Sequence, residues 1–102
     1  MILNEYMLLM HDDARDTDVA GNAEHLNSYL AMLRASKCFD GGSSIGAGTL
    51  YRKASSPVEI VGAFNGYLRV RARNLEEASR FLVGNPVFEA GGSVEIRELP
   101  RD

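Results

Sequence analysis

The segment YLRVRARNLEE, residues 67–77, decides the fold because it contains a strand pattern followed directly by a helix start. Its first seven residues alternate strictly, which predicts a strand with one polar and one apolar face. The polar face carries Tyr67, Arg69, Arg71 and Arg73. Asn74 and Glu77 then have the spacing of a capping box, so a helix is expected to begin there and to end at Gly84.

Three further elements surround this unit. Residues 4–11 carry an uninterrupted apolar run from Tyr6 to Met10, which predicts a central strand that is apolar on both pleat faces. After the polar, acidic loop of residues 12–21, Asn22 is a plausible N-cap for an amphipathic helix of about four turns. Residues 93–99 alternate again and are expected to form the last strand.

The middle of the chain, residues 39–48, is rich in glycine. A phosphate-binding loop requires Lys and then Ser or Thr after its second glycine, and Gly46 is followed by Ala47 and Gly48. We therefore interpret this segment as a flexible strand or bulge. Residues 49–52 and 58–61 are expected to pair as a hairpin beyond it.

The resulting order is strand, helix, strand, strand, helix, strand. It predicts an α+β domain of the ferredoxin-like βαββαβ plan, with an antiparallel sheet and one domain spanning residues 1–102. Two helices cover one sheet face, so the other face, which includes half of the apolar central strand, needs another cover. A second copy is the simplest cover, and we expect a homodimer whose sheets pack face to face around a partly polar space.

Composition excludes several classes of function. The net charge of −3 argues against the basic surface on which nucleic-acid binding and anionic-membrane binding rely. The longest apolar run is far shorter than a membrane span. The only cysteine, Cys38, cannot form an internal disulfide and is expected to be an inert, buried thiol. These features predict a cytoplasmic protein that has neither nucleic-acid nor membrane partners.

Three stretches resemble the YCII-related family, especially its DGPF-domain branch: EYMLLMH (5–11), NGYLRV (65–70) and GGSVEIREL (91–99). The resemblance covers nearly the whole chain and implies a ferredoxin-like fold that pairs as a dimeric α/β barrel. Members of the family bring a histidine and an aspartate together in the dimer cleft. Here His11 or, more weakly, His25 stands for the histidine, whereas VGAF (61–64) lacks the Asp and the Pro of the family tetrad.

His11 is the first candidate for chemistry. It ends the predicted central strand and is followed by Asp12, and a neutral imidazole at a strand end can carry a proton near pH 7. A solvated histidine is the alternative, and His25, in the first turn of a helix, is interpreted as a surface or packing residue. The spaced His, Cys and Asp clusters of metal sites are missing, so no metal site is predicted, and no motif indicates a cofactor.

The second candidate is a polar group on two strands. Its members are Tyr67, Arg69, Arg71, Glu95 and Arg97. In a dimer cleft, the guanidinium groups would bind a carboxylate or phosphate through paired hydrogen bonds. The alternative is that Glu95 pairs with an arginine and the group only holds the dimer interface together.

Two functional hypotheses follow. The favoured one is a protein that binds a small anionic or polar organic molecule in the cleft between the two sheets. The other is an acid–base enzyme, such as a lyase, isomerase or hydrolase, in which His11 carries the proton and Arg69 or Arg71 orients an anion.

Overall fold

A four-stranded antiparallel sheet with helices on one face forms the body of the molecule. The computed structural model describes residues 2–101. Its strands are β1 (Asn4–His11), β2 (Phe39–Ser44), β3 (Gly48–Leu50), β4 (Val58–Ile60), β5 (Phe64–Ala72) and β6 (Val94–Leu99). Its helices are α1 (Thr17–Ala20), α2 (Ala23–Ser36), α3 (Leu75–Ser79), which a 3-10 turn (Arg80–Leu82) extends, and α4 (Pro86–Glu89). The main sheet has the order β2-β5-β1-β6, and the expected ferredoxin-like α+β plan is confirmed.

Strand β1 is central, as its apolar run predicts. It pairs with β5 on one side and with β6 on the other, so that Leu8 lies between Leu68 and Ile96. Tyr6 and Leu8 are buried on the helix side, while Met7 and Leu9 point to the other side and are only half-buried. The strand therefore presents apolar side chains to both faces of a sheet that has helices on one.

Helix α2 supplies the main layer over the sheet. Tyr29 and Leu33 are its buried residues, and they join Leu8 and Val70 in one hydrophobic core. The Tyr29 hydroxyl donates a hydrogen bond to the carbonyl of Phe81, which ties α2 to the 3-10 turn, and burial raises the pKa of Tyr29. Within residues 2–101, no helix combines the length and the apolar character that a membrane crossing requires.

The glycine-rich segment contains an edge strand of the main sheet, β2, with an irregular register between Phe39 and Gly42. A Cβ atom on Gly42 would lie 2.2 Å from the carbonyl oxygen of Tyr67, so β2 approaches β5 more closely than a residue with a side chain allows. The expected hairpin also forms, as β3 and β4, but in a separate two-stranded sheet. The main sheet thus ends at a strand whose last four residues are glycine and serine, and the hairpin is an insertion.

The second helical region differs from the expected continuous helix. It begins at Asn74, whose side chain accepts from Glu77 N at 2.8 Å, and changes to a 3-10 turn after Ser79. Asn85 then starts the short helix α4 instead of marking only a helix end: its Oδ1 accepts from Val87 N and Phe88 N, each at 3.1 Å. Pro86 is the first residue of α4, and proline suits this position because no hydrogen-bonded N–H is needed there.

A similar correction applies to the acidic loop between β1 and α2. The sequence predicts irregular structure over residues 12–21, and the structure has one short helix there, α1. Asp16 caps it, since Oδ1 of Asp16 accepts from Val19 N at 3.1 Å. An acidic side chain at such a position satisfies a backbone donor that the first helical turn leaves unpaired.

Helix α2 offers a matched test of this packing. Leu33 is 0% exposed and Leu26 of the same helix is 44% exposed. We expect Leu33→Ala to lower the free energy of unfolding by about 2–5 kcal/mol, because it leaves a cavity in the core. Leu26→Ala should cost less than about 1 kcal/mol. Urea denaturation followed by far-ultraviolet circular dichroism measures both, and equal losses would contradict the assigned faces of α2.

Candidate functional site

The polar group predicted from two strands lies on one side of the main sheet. We call this side the open face: it is the face opposite α2, and β1 contributes Glu5, Met7, Leu9 and His11 to it. The register places Tyr67 and Glu95 on either side of Leu9, and Arg69 and Arg97 on either side of Met7. Arg71 lies opposite Glu5. The structure therefore brings all five predicted ligand-binding residues onto the open face.

Each arginine in this group already has a carboxylate partner within the chain. Arg69 Nε lies 3.1 Å from Glu5 Oε1, and Arg97 Nε lies 3.3 Å from Glu95 Oε1. Arg71 Nε lies 3.0 Å from Asp40 Oδ2, although the two groups are not aligned for a hydrogen bond, and its Nη2 donates to the Lys37 carbonyl at 2.7 Å. An incoming anion would have to compete with these carboxylates.

His11 forms the shortest polar contact on the open face. Its Nε2 lies 2.5 Å from Glu95 Oε2, and its ring meets the ring of Phe64 edge-to-face, with centroids 5.0 Å apart at 76°. The contact with His11, followed by that with Arg97, holds the pKa of Glu95 below its usual range. A carboxylate on one ring nitrogen fixes the orientation of the ring, as in proton-transfer sites.

The acidic residues after β1 have other partners. The backbone N–H of Asp12 donates to the Ala63 carbonyl at 3.2 Å, and Asp12 lines a cavity on the far side of the sheet. Asp13 Oδ1 and Oδ2 accept from the backbone N–H and hydroxyl of Ser93 at 2.7 and 2.6 Å, and these hydrogen bonds lower the pKa of Asp13. The carboxylate that contacts His11 is therefore Glu95, not the adjacent Asp12.

The sequence pattern predicts Glu95 as a member of the anion-binding group and does not predict its contact with His11. The connection depends on the register of β1 and β6, in which Leu9 pairs with Glu95 and His11 N donates to the Ser93 carbonyl at 2.9 Å. The side chains of positions 11 and 95 thus meet diagonally on one face. The alternation of β6 alone indicates the sheet face on which Glu95 lies, but it does not indicate that His11 is the neighbour of Glu95.

A large cavity lies on the opposite side of the sheet, between α2 and the strands β2 and β5. Its volume is about 600 Å³. Leu30, Phe39 and Leu68 supply apolar walls, and Asp12 and Arg34 supply charged groups. Gly42 and Gly66 also line the cavity, and a Cβ atom on either would collide with the backbone of the neighbouring strand, so the close approach of β2 and β5 at its wall requires glycine.

His25 lies in a different environment from His11. It is exposed in the first turn of α2 and lines a smaller cavity of about 370 Å³ with Tyr29, Met32 and Glu89. The two histidines are therefore on opposite sides of the main sheet. In the part of the chain that the structure describes, no three His, Cys, Asp or Glu side chains are grouped as metal ligands would be.

Comparison with known proteins identifies the fold. No family model matches the chain, and no curated protein does. Among solved structures, the chain is similar to 5-chloro-2-hydroxyhydroquinone dehydrochlorinase (TftG) from Burkholderia phenoliruptrix AC1100, in complex with 2,5-dihydroxybenzoquinone. The TM-score is 0.59 at 16% identity, over 96% of this chain and 95% of that one. At this identity, the likeness shows a shared architecture over the whole domain.

The His11–Glu95 contact predicts a measurable titration. In His11→Phe, which removes the ring nitrogens, the pKa of Glu95 should rise toward its usual value of 4.5, as carboxyl chemical shifts in an NMR titration report. Glu77 is the internal control, because Arg73 holds its pKa low from a different part of the sheet.

The same contact has a consequence for stability. A carboxyl group with a lowered pKa in the folded state stabilises the protein above its unfolded pKa, and this stabilisation is lost as the pH falls through the folded pKa. The variant His11→Phe should therefore lose less stability than the wild type between neutral pH and the acidic range below 4.5. If the pKa of Glu95 is the same in His11→Phe as in the wild type, the contact does not form in solution.

Proposed function

We propose that the protein binds a small organic molecule in the cavity between α2 and the glycine-bearing strands β2 and β5. The cavity itself is the observation that carries this proposal. Its volume of about 600 Å³ is typical of sites that enclose a small ligand, which span roughly 300–1,000 Å³. Such sites combine apolar walls with a few polar groups that orient the ligand, and this cavity has that composition.

The lining indicates the class of ligand. Leu30, Phe39 and Leu68 suit a flat or compact apolar body, while Arg34 suits a carboxylate, phenolate or similar acidic group on it. Asp12 offers an acceptor for a hydroxyl group. The site proposed here therefore differs from the one expected from the sequence: it lies on the helix side of the sheet and not between two sheets. The reason is that the open-face arginines already have carboxylate partners.

We also propose that the protein is a homodimer, joined through the open face, in a reducing compartment such as the cytosol. Three apolar side chains are half-buried on this face: Met7, Leu9 and Leu99. Paired basic and acidic side chains surround them. A face that is apolar in part and balanced in charge is suited to a second copy of itself, since a two-fold axis brings each patch against its equivalent.

Binding of 2,5-dihydroxybenzoquinone is a direct test, since it is the small acidic molecule in the TftG complex. We expect the wild type to bind it and Leu30→Trp to weaken binding by about tenfold or more, because the larger side chain fills the cavity. Leu75→Trp is the control, as Leu75 is exposed on α3, away from the cavity. Isothermal titration calorimetry measures both, and unchanged binding to Leu30→Trp would place the ligand elsewhere.

Acid–base catalysis by His11 is the second candidate, and the 2.5 Å contact with Glu95 favours it. Glu95 orients the ring, and Phe64 limits its rotation. The Nδ1 atom is then the group that takes a proton from a carbon or oxygen acid. The reaction would occur in the space between two open faces.

The test uses a carbon acid, 2,4-pentanedione, whose hydrogen exchange in deuterated water is followed by NMR. Wild type should accelerate the exchange, and His11→Ala and Glu95→Gln should each slow it by about tenfold or more. Leu30→Trp should leave the rate unchanged, because the cavity lies on the other side of the sheet. Equal rates for wild type and His11→Ala would exclude the catalytic role of His11.

A further inference from the structure

The β3–β4 hairpin and its flanking residues project from the sheet. We call residues 45–63 the arm. Every residue from 51 to 63 is exposed. The radius of gyration of the chain, 15.1 Å, exceeds the roughly 13 Å expected for a compact domain of this length. The arm is therefore an extension and not part of the packed domain.

The arm has one apolar and one polar face. Leu50 pairs with Val58, and Gly48 pairs with Ile60, so the side chains of Leu50, Val58 and Ile60 share one face, while Thr49 and Glu59 share the other. Val58 is 52% exposed and Ile60 is 41% exposed. An isolated two-stranded hairpin is only marginally stable in water, and an alternating pattern of this kind requires a surface under its apolar face.

The tip of the arm is a positively charged turn. Arg52 and Lys53 are exposed there, and the Ser55 N–H donates to the Arg52 carbonyl at 3.2 Å. Ala54 has a φ of 65°, a left-handed conformation that a tight turn imposes on it. Neither basic side chain forms an ion pair with the carboxylates of residues 2–101.

A complementary surface exists on the same chain. Asp12, Asp16 and Asp18 are exposed in the segment between β1 and α2, and we call residues 12–18 the acidic segment. Asp12 and Thr17 of this segment also line the large cavity, together with Leu26, which is partly exposed on α2. An acidic group therefore borders an apolar opening, which is the complement of a basic tip next to an apolar strand face.

We propose that the arm docks on a second copy of this chain, with its apolar face against the opening of the partner's cavity and its basic tip on the partner's acidic segment. The charge complementarity lies within one sequence, which favours a second copy over an unrelated partner. The arm then completes the wall of the partner's binding site. This inference rests on the homodimer and the cavity site proposed above and gives the dimer a second contact.

A charge exchange tests the contact. R52E/K53E and D12K/D18K should each raise the dimer dissociation constant by about tenfold, because both replace attraction by repulsion in two symmetric contacts. An equimolar mixture of the two variants should form a heterodimer in which both contacts are attractive, one with the wild-type charges and one with the charges exchanged. Sedimentation velocity at low ionic strength measures all three samples, and circular dichroism verifies their folding.

A second pair of variants tests the apolar face without changing charge. Ile60→Ser should weaken the dimer, whereas Thr49→Ser, on the polar face, should leave it unchanged. A monomeric wild type would overturn both the homodimer and the arm contact. A wild-type dimer that none of R52E/K53E, D12K/D18K and Ile60→Ser weakens would overturn the arm contact alone. A mixture that dissociates as readily as its components would disprove the pairing of tip and acidic segment.

Discussion

The structure depends on one constraint: β1 is apolar on both pleat faces, and a sheet strand of this kind has to be covered on both sides. Helix α2 covers Tyr6 and Leu8. Nothing in residues 2–101 forms a second layer over Met7 and Leu9, which remain half-buried among ion pairs. The apolar side chains of β1 thus determine where the helices pack, and they leave the open face as the surface on which the proposed second copy would form the other layer.

Because side chains alternate along a strand, residues that are adjacent in sequence lie on opposite faces of the sheet and take part in different sites. Met10 lines the helix-side cavity and His11 lies on the open face, because successive residues of a strand point to opposite sides. Asp12 follows directly but takes part in the cavity. A pair that is adjacent in sequence at a strand end is therefore a poor candidate for a catalytic dyad, whereas a cross-strand pair such as His11 and Glu95 is a natural one.

This separation explains what could be predicted from the sequence. The periodicities of β1, α2 and β5 and the cap at Asn74 are local, and they predicted the order of elements and hence the fold. The common face of Tyr67, Arg69 and Arg71 also follows from alternation alone. The contact of His11 with Glu95 does not, because the residues are 84 positions apart and only the pairing register of β1 and β6 joins them.

The glycine-rich edge shows the opposite relation, because a segment without chemically reactive side chains lines the largest cavity described above. Absent side chains at Gly42 and Gly66 let β2 approach β5 closely, and both glycines line the cavity beneath α2. The same edge strand then leads into the exposed hairpin, since β2 ends at Ser44 and β3 begins at Gly48. Because the cavity and the hairpin share this edge, the proposed docking of the hairpin on a second copy also brings partner side chains to the cavity that these glycines line. Under the two proposals, small residues at one sheet edge link ligand binding to assembly, although neither property is visible in their chemistry.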